Sequence, residues 1–199
     1  MFVRRGTMKK RILAVAALLL LVTVLFCACA NDSVAKKLNK MAAEKYSRVK
    51  LQVTSKFSED AVLTSTFVVN NSTNTVEFNV EQFQTLDANQ IPQGNKTVVS
   101  GVVNVVNGKV EETELTLNLP LQQIVDMKWD FDVQYVGRVV TNTSLTASIA
   151  NPYKFFGVQT FEGTDVSIVV NFADVLQKVE VSYTSTKGAL VTLTVEYTK

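Results

Sequence analysis

The sequence predicts a mainly β domain, in which an N-terminal helix precedes about nine antiparallel strands that curl into a barrel or half-barrel. Three observations support this prediction. Apolar and polar residues alternate with a period of two from Val49 onward, the connections between the alternating runs are short, and only one early stretch has helical spacing. Alternation with one apolar face is typical of antiparallel meanders, whereas strands of parallel sheets read as continuous apolar runs.

Residues 1–28 read as an export signal that precedes this domain. Five basic residues stand before an uncharged, mostly apolar run from Ile12 to Ala30. The apolar part from Ile12 to Phe26 covers about 15 residues, which suits a signal peptide and falls short of the roughly 20 that cross a bilayer. The sequence therefore predicts a cleaved signal rather than a permanent membrane span.

The end of the signal reads FCAC at residues 26–29 and resembles the lipobox of bacterial lipoproteins. That resemblance implies cleavage after Ala28, acylation of Cys29 and a tether over residues 29–32. It places the protein on the extracytoplasmic face of a bacterial cell membrane, held there by its lipid. The residues Ala28-Cys29-Ala30 also fit an ordinary signal-peptidase site, which leaves open a secreted protein that begins at Asn31.

The remaining residues, 33–199, are assigned to one β-rich domain. Its helix is expected from about Ser33, which can cap it, to Tyr46, with Leu38 and Met41 on one stripe. The strands follow from Val49. Apolar residues alternate with polar ones at Leu51, Val53, Phe57, Leu63, Phe67, Val69, Val76, Phe78 and Val80, and the later strands are predicted over residues 139–149, 166–172, 179–183 and 189–197.

Two signals organise the middle of this domain. Asn107-Gly108 separates a run from Val98 to Val106 from one that extends towards Leu119, and this dipeptide predicts a tight hairpin. Pro120 ends the second run, and residues 121–127 are expected to form a short helical connection. The next strand is predicted over residues 128–135, where the alternation of apolar and polar residues is cleanest.

The apolar face of such a sheet needs a cover. A helix is about 10 Å wide, whereas nine strands at about 4.8 Å spacing extend over more than about 40 Å. One short helix cannot cover that width, so the sheet is expected to curl around the helix and the loops. A two-sheet β-sandwich is the alternative architecture.

This order of elements, an exported chain with one helix and then a long antiparallel meander, resembles the LolA/LolB-like lipoprotein carrier superfamily. The resemblance is one of architecture and covers most of residues 33–199. It implies a curved half-barrel whose concave apolar face holds acyl chains.

Aromatic side chains on the apolar face are the candidate lining of a ligand cavity. An equally simple interpretation is that they form a packed core. The stretch 151–157 is the densest aromatic segment outside the strands, and it is expected to form either a cavity lip or a plug. The candidate lining residues are Phe67, Phe78, Trp129, Phe131, Tyr135 and Phe172, and the candidate lip residues are Tyr153, Phe155 and Phe156.

Composition excludes most familiar catalysis. The chain has no histidine, and both of its cysteines lie in the signal region, so neither a histidine-based triad nor a His/Cys zinc site is expected. Two acidic pairs, Asp130 with Asp132 and Glu112 with Glu114, are interpreted as solvated strand positions rather than as a calcium site. No catalytic residue, metal or cofactor is predicted.

Two functions remain from the sequence. The first is a non-catalytic envelope lipoprotein that binds a lipid or another hydrophobic ligand on the concave sheet face. The second is a structural or protein-interaction module of the envelope with a fully packed core. Residues 30–199 carry 15 basic and 18 acidic residues, so nucleic acid is not expected as a partner.

Overall fold

The computed structural model describes residues 33–86, 92–111, 113, 116 and 118–199. The predicted signal (1–28) and tether (29–32) lie outside the described residues. The elements in chain order are α1 (33–42), β1 (Arg48–Lys56), β2 (Val62–Asn70), β3 (Thr75–Leu86), β4 (Pro92–Val106), β5 (Lys109–Val110), α2 (Leu121–Val125), β6 (Tyr135–Val140), β7 (Ser144–Ile149), α3 (Pro152–Phe156), β8 (Gly163–Phe172), β9 (Leu176–Ser185) and β10 (Leu190–Thr198).

The ten strands form one open antiparallel sheet in the order β5-β4-β3-β2-β1-β10-β9-β8-β7-β6. The first strand, β1, lies in the middle of the sheet, and the following strands meander out to β5. The chain then crosses to the far edge and meanders back from β6 until β10 lies beside β1. The prediction of a curled antiparallel meander is confirmed, with ten strands instead of about nine and one sheet instead of the two of a sandwich.

Alternation of side chains gives this sheet its buried face. In the central strands Leu51 lies opposite Phe67 on one side and Val195 on the other, and Phe67 lies opposite Phe78. All four side chains belong to one core cluster, together with residues of α1, α2 and α3. The three helices and the crossing segment between β5 and β6 therefore cover the apolar face.

Helix α1 packs Ala35, Leu38 and Met41 into that core and ends at residue 42, before the predicted end at Tyr46. The Tyr46 side chain explains the early end. Its buried hydroxyl donates to the Met41 carbonyl oxygen at 2.8 Å and accepts from the Leu176 backbone nitrogen at 3.1 Å. This tie fixes the turn from α1 into β1.

The hairpin at Asn107-Gly108 is confirmed, because both residues have positive φ, 52° and 77°. The strand predicted beyond it is wrong in length, since β5 ends at Val110. Thr113 and Thr116 account for this. The Thr116 hydroxyl accepts from the Thr113 backbone nitrogen at 2.7 Å, and the Thr116 backbone nitrogen donates to the Thr113 carbonyl at 2.9 Å. A local turn therefore uses backbone groups that would otherwise pair with a neighbouring strand. Leu115, Leu117, Glu112 and Glu114 lie outside the described residues.

The strand predicted over residues 128–135 is also wrong, because the sheet takes up the chain only at Tyr135. Residues 127–134 instead form the end of the crossing segment. The backbone nitrogen of Phe131 donates to the Asn39 side chain of α1 at 2.8 Å, and that of Asp130 donates to the Phe155 carbonyl of α3 at 3.0 Å. Their hydrogen bonds go to helices rather than to a neighbouring strand.

Candidate functional site

The predicted lining residues mostly lie in the packed core. Phe67, Phe78 and Phe172 stand on the buried sheet face and are 3–4 % exposed, while Phe131 is fully buried. Trp129 is 7 % exposed and Tyr135 is half-buried against the core. The interpretation of these residues as a packed core describes their surroundings, and Trp129 also borders two clefts described below.

The predicted lip residues are divided by α3. Phe155 is fully buried, Tyr153 is 49 % exposed, and Phe156 lies between these extremes. Pro152 starts α3 and Gly157 ends it with a φ of 64°, which a glycine adopts without strain. The helix therefore presents one ring to the core and a second ring to a cleft.

A continuous chain of aromatic rings joins the core to that cleft. At the closed end, which we define as Trp129, Phe131 and Phe155, ring centroids lie 4.9–5.6 Å apart. Phe156 contacts the rings of Trp129 and Phe155, at 5.7 and 5.3 Å. Phe156 therefore links the closed end to the open end of the ring chain.

The open end consists of Phe156, Phe161 and Tyr183. The Phe156 and Phe161 rings are stacked at 4.9 Å with an interplanar angle of 9°, and Tyr183 meets Phe161 edge-on at 4.9 Å. Gly163 makes this packing possible. A Cβ atom there would lie 2.6 Å from Tyr183 Cδ2 and 2.8 Å from Phe161 Cε1, so a larger residue would displace both rings.

The open end borders a cleft of about 800 Å³, which we call the aromatic cleft. It lies between the end of α2, the loop after α3, and strands β9 and β10. Its lining residues are Gln123, Asp126, Met127, Lys128, Phe156, Gly157, Val158, Thr160, Phe161, Glu162, Tyr183 and Leu193. The volume falls within the range of about 300–1,000 Å³ that is usual for small-molecule sites.

Two further clefts adjoin it, of about 440 and 470 Å³. Met127 and Lys128 line both of them as well as the aromatic cleft, so these two residues form the wall between all three. Trp129 lines the two smaller clefts. The wall is an irregular segment that follows α2, with the Met127 nitrogen 3.4 Å from the Ile124 oxygen.

Buried tyrosines give the region its electrostatic character. Burial raises the pKa of Tyr183 in the aromatic cleft above its ordinary value. It raises the pKa values of Tyr135 and Tyr197 further, although the hydrogen bond that Trp129 Nε1 donates to the Tyr197 hydroxyl at 2.6 Å acts in the opposite direction. All three hydroxyls therefore keep their protons to a higher pH than a solvent-exposed tyrosine does.

The acidic pair Asp130 and Asp132 lies next to a cation, Lys154. Lys154 Nζ is 3.9 Å from Asp130 Oδ2 and 3.6 Å from Asp132 Oδ2. Among the described residues no group of three or more acidic, cysteine or histidine side chains could hold a metal ion. In the same part of the chain, no helix is both long and apolar enough to cross a bilayer.

Sequence reasoning missed most of the aromatic cleft. Phe161, Tyr183, Leu193 and Met127 come from four separate segments, and no spacing along the chain connects them. One local signal was available, because Phe161 follows the aromatic stretch 151–157 and stands two residues before Gly163. An aromatic residue near a strand glycine often marks a ring packed over the backbone.

Comparisons with known proteins add little to this geometry. No protein-family model matches the chain, and no curated protein matches it. Among solved structures, the dehydratase domain from the CurF module of curacin polyketide synthase shows 10 % sequence identity, over 83 % of this chain and 81 % of that one, with a TM-score of 0.18. A score that low carries no argument about fold or chemistry.

Proposed function

We propose that this protein is a non-catalytic envelope lipoprotein, tethered through Cys29, that binds an acyl chain or a similar hydrophobic ligand in the aromatic cleft. The observation that carries the proposal is the open end of the ring chain. Phe156, Phe161 and Tyr183 are half-buried beside about 800 Å³ of space, whereas the rings of the closed end are covered. An apolar ligand would complete a core that the chain leaves unfinished.

Binding would work by removing apolar surface from water. Each buried methylene contributes about 0.8 kcal/mol, so eight methylenes placed against these rings contribute about 6 kcal/mol. The polar groups at the rim, Gln123, Asp126, Lys128 and Glu162, suit a ligand with a polar end. The residues of the closed end do not line the cleft, but Trp129 and Phe155 would support Phe156 from the core side.

Photolabelling of the full chain in lipid vesicles with a diazirine-bearing fatty acid would test this site. We expect labelled peptides to contain residues 156–161. Val158→Lys should lower that labelling about tenfold, because a charge in an apolar site costs at least about 1.4 kcal/mol. Val158 is 45 % exposed, so the fold should tolerate the change.

Val102→Lys is the matched control, since Val102 is an exposed valine on β4, at 64 % exposure and far from the aromatic cleft. Its labelling should equal that of the unmodified protein. Equal labelling in the Val158 and Val102 variants, with equal urea midpoints, would remove the aromatic cleft as the site.

The lipid anchor is tested separately. Cys29→Ser should release the protein from membranes during fractionation, because Cys29 is the acylated residue in this proposal. Membrane association that persists unchanged in this variant after a wash in about 1 M salt, which screens surface charge, would contradict lipidation at Cys29. Release of the unmodified protein as well would favour the secreted form that begins at Asn31.

A protein-interaction module is the second candidate, and the outer strand β4 favours it. Among the described residues, β5 covers β4 only at Val105 and Val106, so the stretch before them is an uncovered edge. Val98 and Val102 stand exposed on it. Such an edge can pair with a strand of another protein. Loss of a partner in Val102→Lys, with cleft labelling absent in all variants, would support this function instead.

A further inference from the structure

The exposed side of α1 carries a concentration of positive charge. Residues 30–56 contain seven basic and two acidic residues, while residues 57–199 contain eight basic and sixteen acidic ones. In α1, Ala35, Leu38 and Met41 face the core, and Lys36, Lys37 and Lys40 are exposed on the other side. Lys45 continues this exposed surface just beyond the helix. We call these four lysines the basic face.

Most of the basic face keeps its charge available. Lys40 and Lys45 make no hydrogen bond or ion pair with the described residues, and Lys37 Nζ lies 4.9 Å from the centre of the Phe172 ring. Glu44, the acidic residue next to Lys45 in the chain, pairs with Lys199.

The carboxylate beside α1 is engaged too. Asp130 accepts from the Asn39 side chain at 3.3 Å and lies 3.9 Å from Lys154 Nζ. Among the described residues, Glu44 and Asp130 therefore have partners other than Lys37, Lys40 and Lys45. An excess of positive charge remains on this side of the protein.

We propose that the basic face lies against the headgroups of an anionic membrane and orients the domain on it. This inference rests on the proposed tether. Ser33 stands three residues after the end of the apolar run at Ala30, a reach of about 10 Å in extended chain. That reach is close to the Debye length of about 8 Å at physiological ionic strength, so the lysines feel the surface potential.

The chemistry of the partner follows from the kind of charge. Lysines are flexible point charges that suit a diffuse layer of phosphate groups, and each one near such a surface strengthens partition about fivefold. No fixed pocket is required for this binding. An anionic bilayer fits these features better than an acidic protein, which would need a shaped and partly apolar contact.

The test places the full chain in vesicles of phosphatidylcholine, either alone or with phosphatidylglycerol at a lipid fraction of about 0.3, which gives a strong negative surface potential. A water-soluble amine reagent then measures how fast each lysine is modified. We expect modification of Lys40 and Lys45 to slow at least about fivefold in the anionic vesicles and to recover in about 1 M salt. Lys187, in the turn at the other end of the strands, should react equally in both. Equal rates at Lys40 and Lys45 in the two vesicles would overturn the proposal.

Charge variants make the result specific. In Lys40→Gln/Lys45→Gln, Lys37 should lose its protection in anionic vesicles. In the matched pair Lys96→Gln/Lys187→Gln, with both changes at the far end of the sheet, Lys37 should keep it. Protection of Lys37 that is the same in both double variants would also overturn the proposal.

Flotation separates this inference from the anchor. Flotation with neutral vesicles reports the lipid anchor alone, and protection in anionic vesicles reports the basic face. A protein that floats only with anionic vesicles would lack the anchor and still support the basic face. If the lysines are protected only in cell envelopes, and vesicle charge has no effect, the partner of the basic face is an acidic protein. That outcome would contradict the proposed binding to an anionic membrane.

Discussion

The closed and open ends of the aromatic chain use the same kind of residue with opposite results. Phe131 and Phe155 at the closed end are fully buried, whereas Phe156 and Phe161 at the open end retain exposed surface beside the aromatic cleft. The rings meet at similar distances at both ends, 4.9–5.6 Å. Ring packing alone therefore does not decide which end is closed.

The difference comes from what lies over the rings. At the closed end, polar groups fasten the backbone, because Asn39 binds Phe131 and the Tyr135 hydroxyl donates to the Phe131 carbonyl at 2.6 Å. At the open end the loop after α3 passes beside the rings without covering them. A hydrophobic site can thus form where the backbone over a packed core is no longer held in place by hydrogen bonds.

Phe131→Ala should give the largest change in stability and so sharpen this comparison. Removing a fully buried phenylalanine leaves a cavity, which costs about 3–5 kcal/mol of unfolding free energy. Phe161→Ala should cost about 1–2 kcal/mol, since part of that ring already faces water. Urea denaturation of both variants measures the difference.

Equal losses in the two variants would break the distinction between the ends. Such a result would mean that the open end is as fully packed in solution as the closed end. Fatty-acid labelling adds a second readout, because Phe161→Ala should weaken labelling and leave the fold intact.

Substitution of two glycines tests how far the neighbouring rings in each region can move to accommodate a Cβ atom. A Cβ at Gly101 would lie 2.8 Å from Cζ of Phe78, a ring that is only 4 % exposed and has no room to move. Gly101→Ala should therefore cost about 1–3 kcal/mol. Gly163→Ala should cost less, because Phe161 and Tyr183 can move into the aromatic cleft, and it should narrow that cleft. Thermal unfolding and fatty-acid labelling together report both effects.

Trp129→Phe removes one polar tie of the closed end while keeping a ring in contact with Phe155. The lost hydrogen bond to the Tyr197 hydroxyl should lower the unfolding free energy by about 1 kcal/mol. A double-mutant cycle with Tyr197→Phe isolates that bond. Zero coupling between the two changes would show that the tie contributes nothing to the closed end.

High pH should produce the smallest effect per residue. Burial raises the pKa values of Tyr135, Tyr183 and Tyr197, so the folded protein keeps protons that the unfolded chain loses above about pH 10. The stability is complete below that pH and decreases as the pH rises further. At pH 10 the deeply buried Tyr197 should already lower the unfolding free energy by about 0.4 kcal/mol relative to pH 8, and the more exposed Tyr183 should lower it by less.

Urea denaturation at the two pH values measures this decrease, and replacement by Phe assigns it. Tyr197→Phe should reduce the pH dependence more than Tyr183→Phe, because Tyr197 is the more deeply buried group. The reverse order would show that the aromatic cleft is drier than its open geometry indicates.

Much of the fold could be predicted from local patterns. Alternation marked the strands around Leu51, Phe67 and Phe78, and the need for positive φ marked Asn107-Gly108. The strand predicted over residues 128–135 was wrong for a long-range reason, whereas a local turn shortened β5. Residues 128–134 alternate as a strand does, yet their hydrogen-bond partners, Asn39 and Phe155, are distant in sequence and were not foreseeable.

The candidate site was less predictable than the fold. The aromatic residues predicted as a lining or a lip fall partly in the core and partly at a cleft, because burial depends on what packs above each one. Phe155 and Phe156 are adjacent in sequence and differ in their surroundings because α3 turns one inward. The cleft itself is a property of four chain segments that meet only in the folded protein.

The position of β10 beside β1 has a consequence for how the protein matures. Arg48 pairs with Thr198, so the two central strands come from opposite ends of the domain. Contacts between such distant residues form slowly, because a long loop must close first. Until β1 and β10 pair, each half of the sheet exposes one of these strands as an unpaired edge. A chaperone that shields nascent chains from aggregation would bind at that edge.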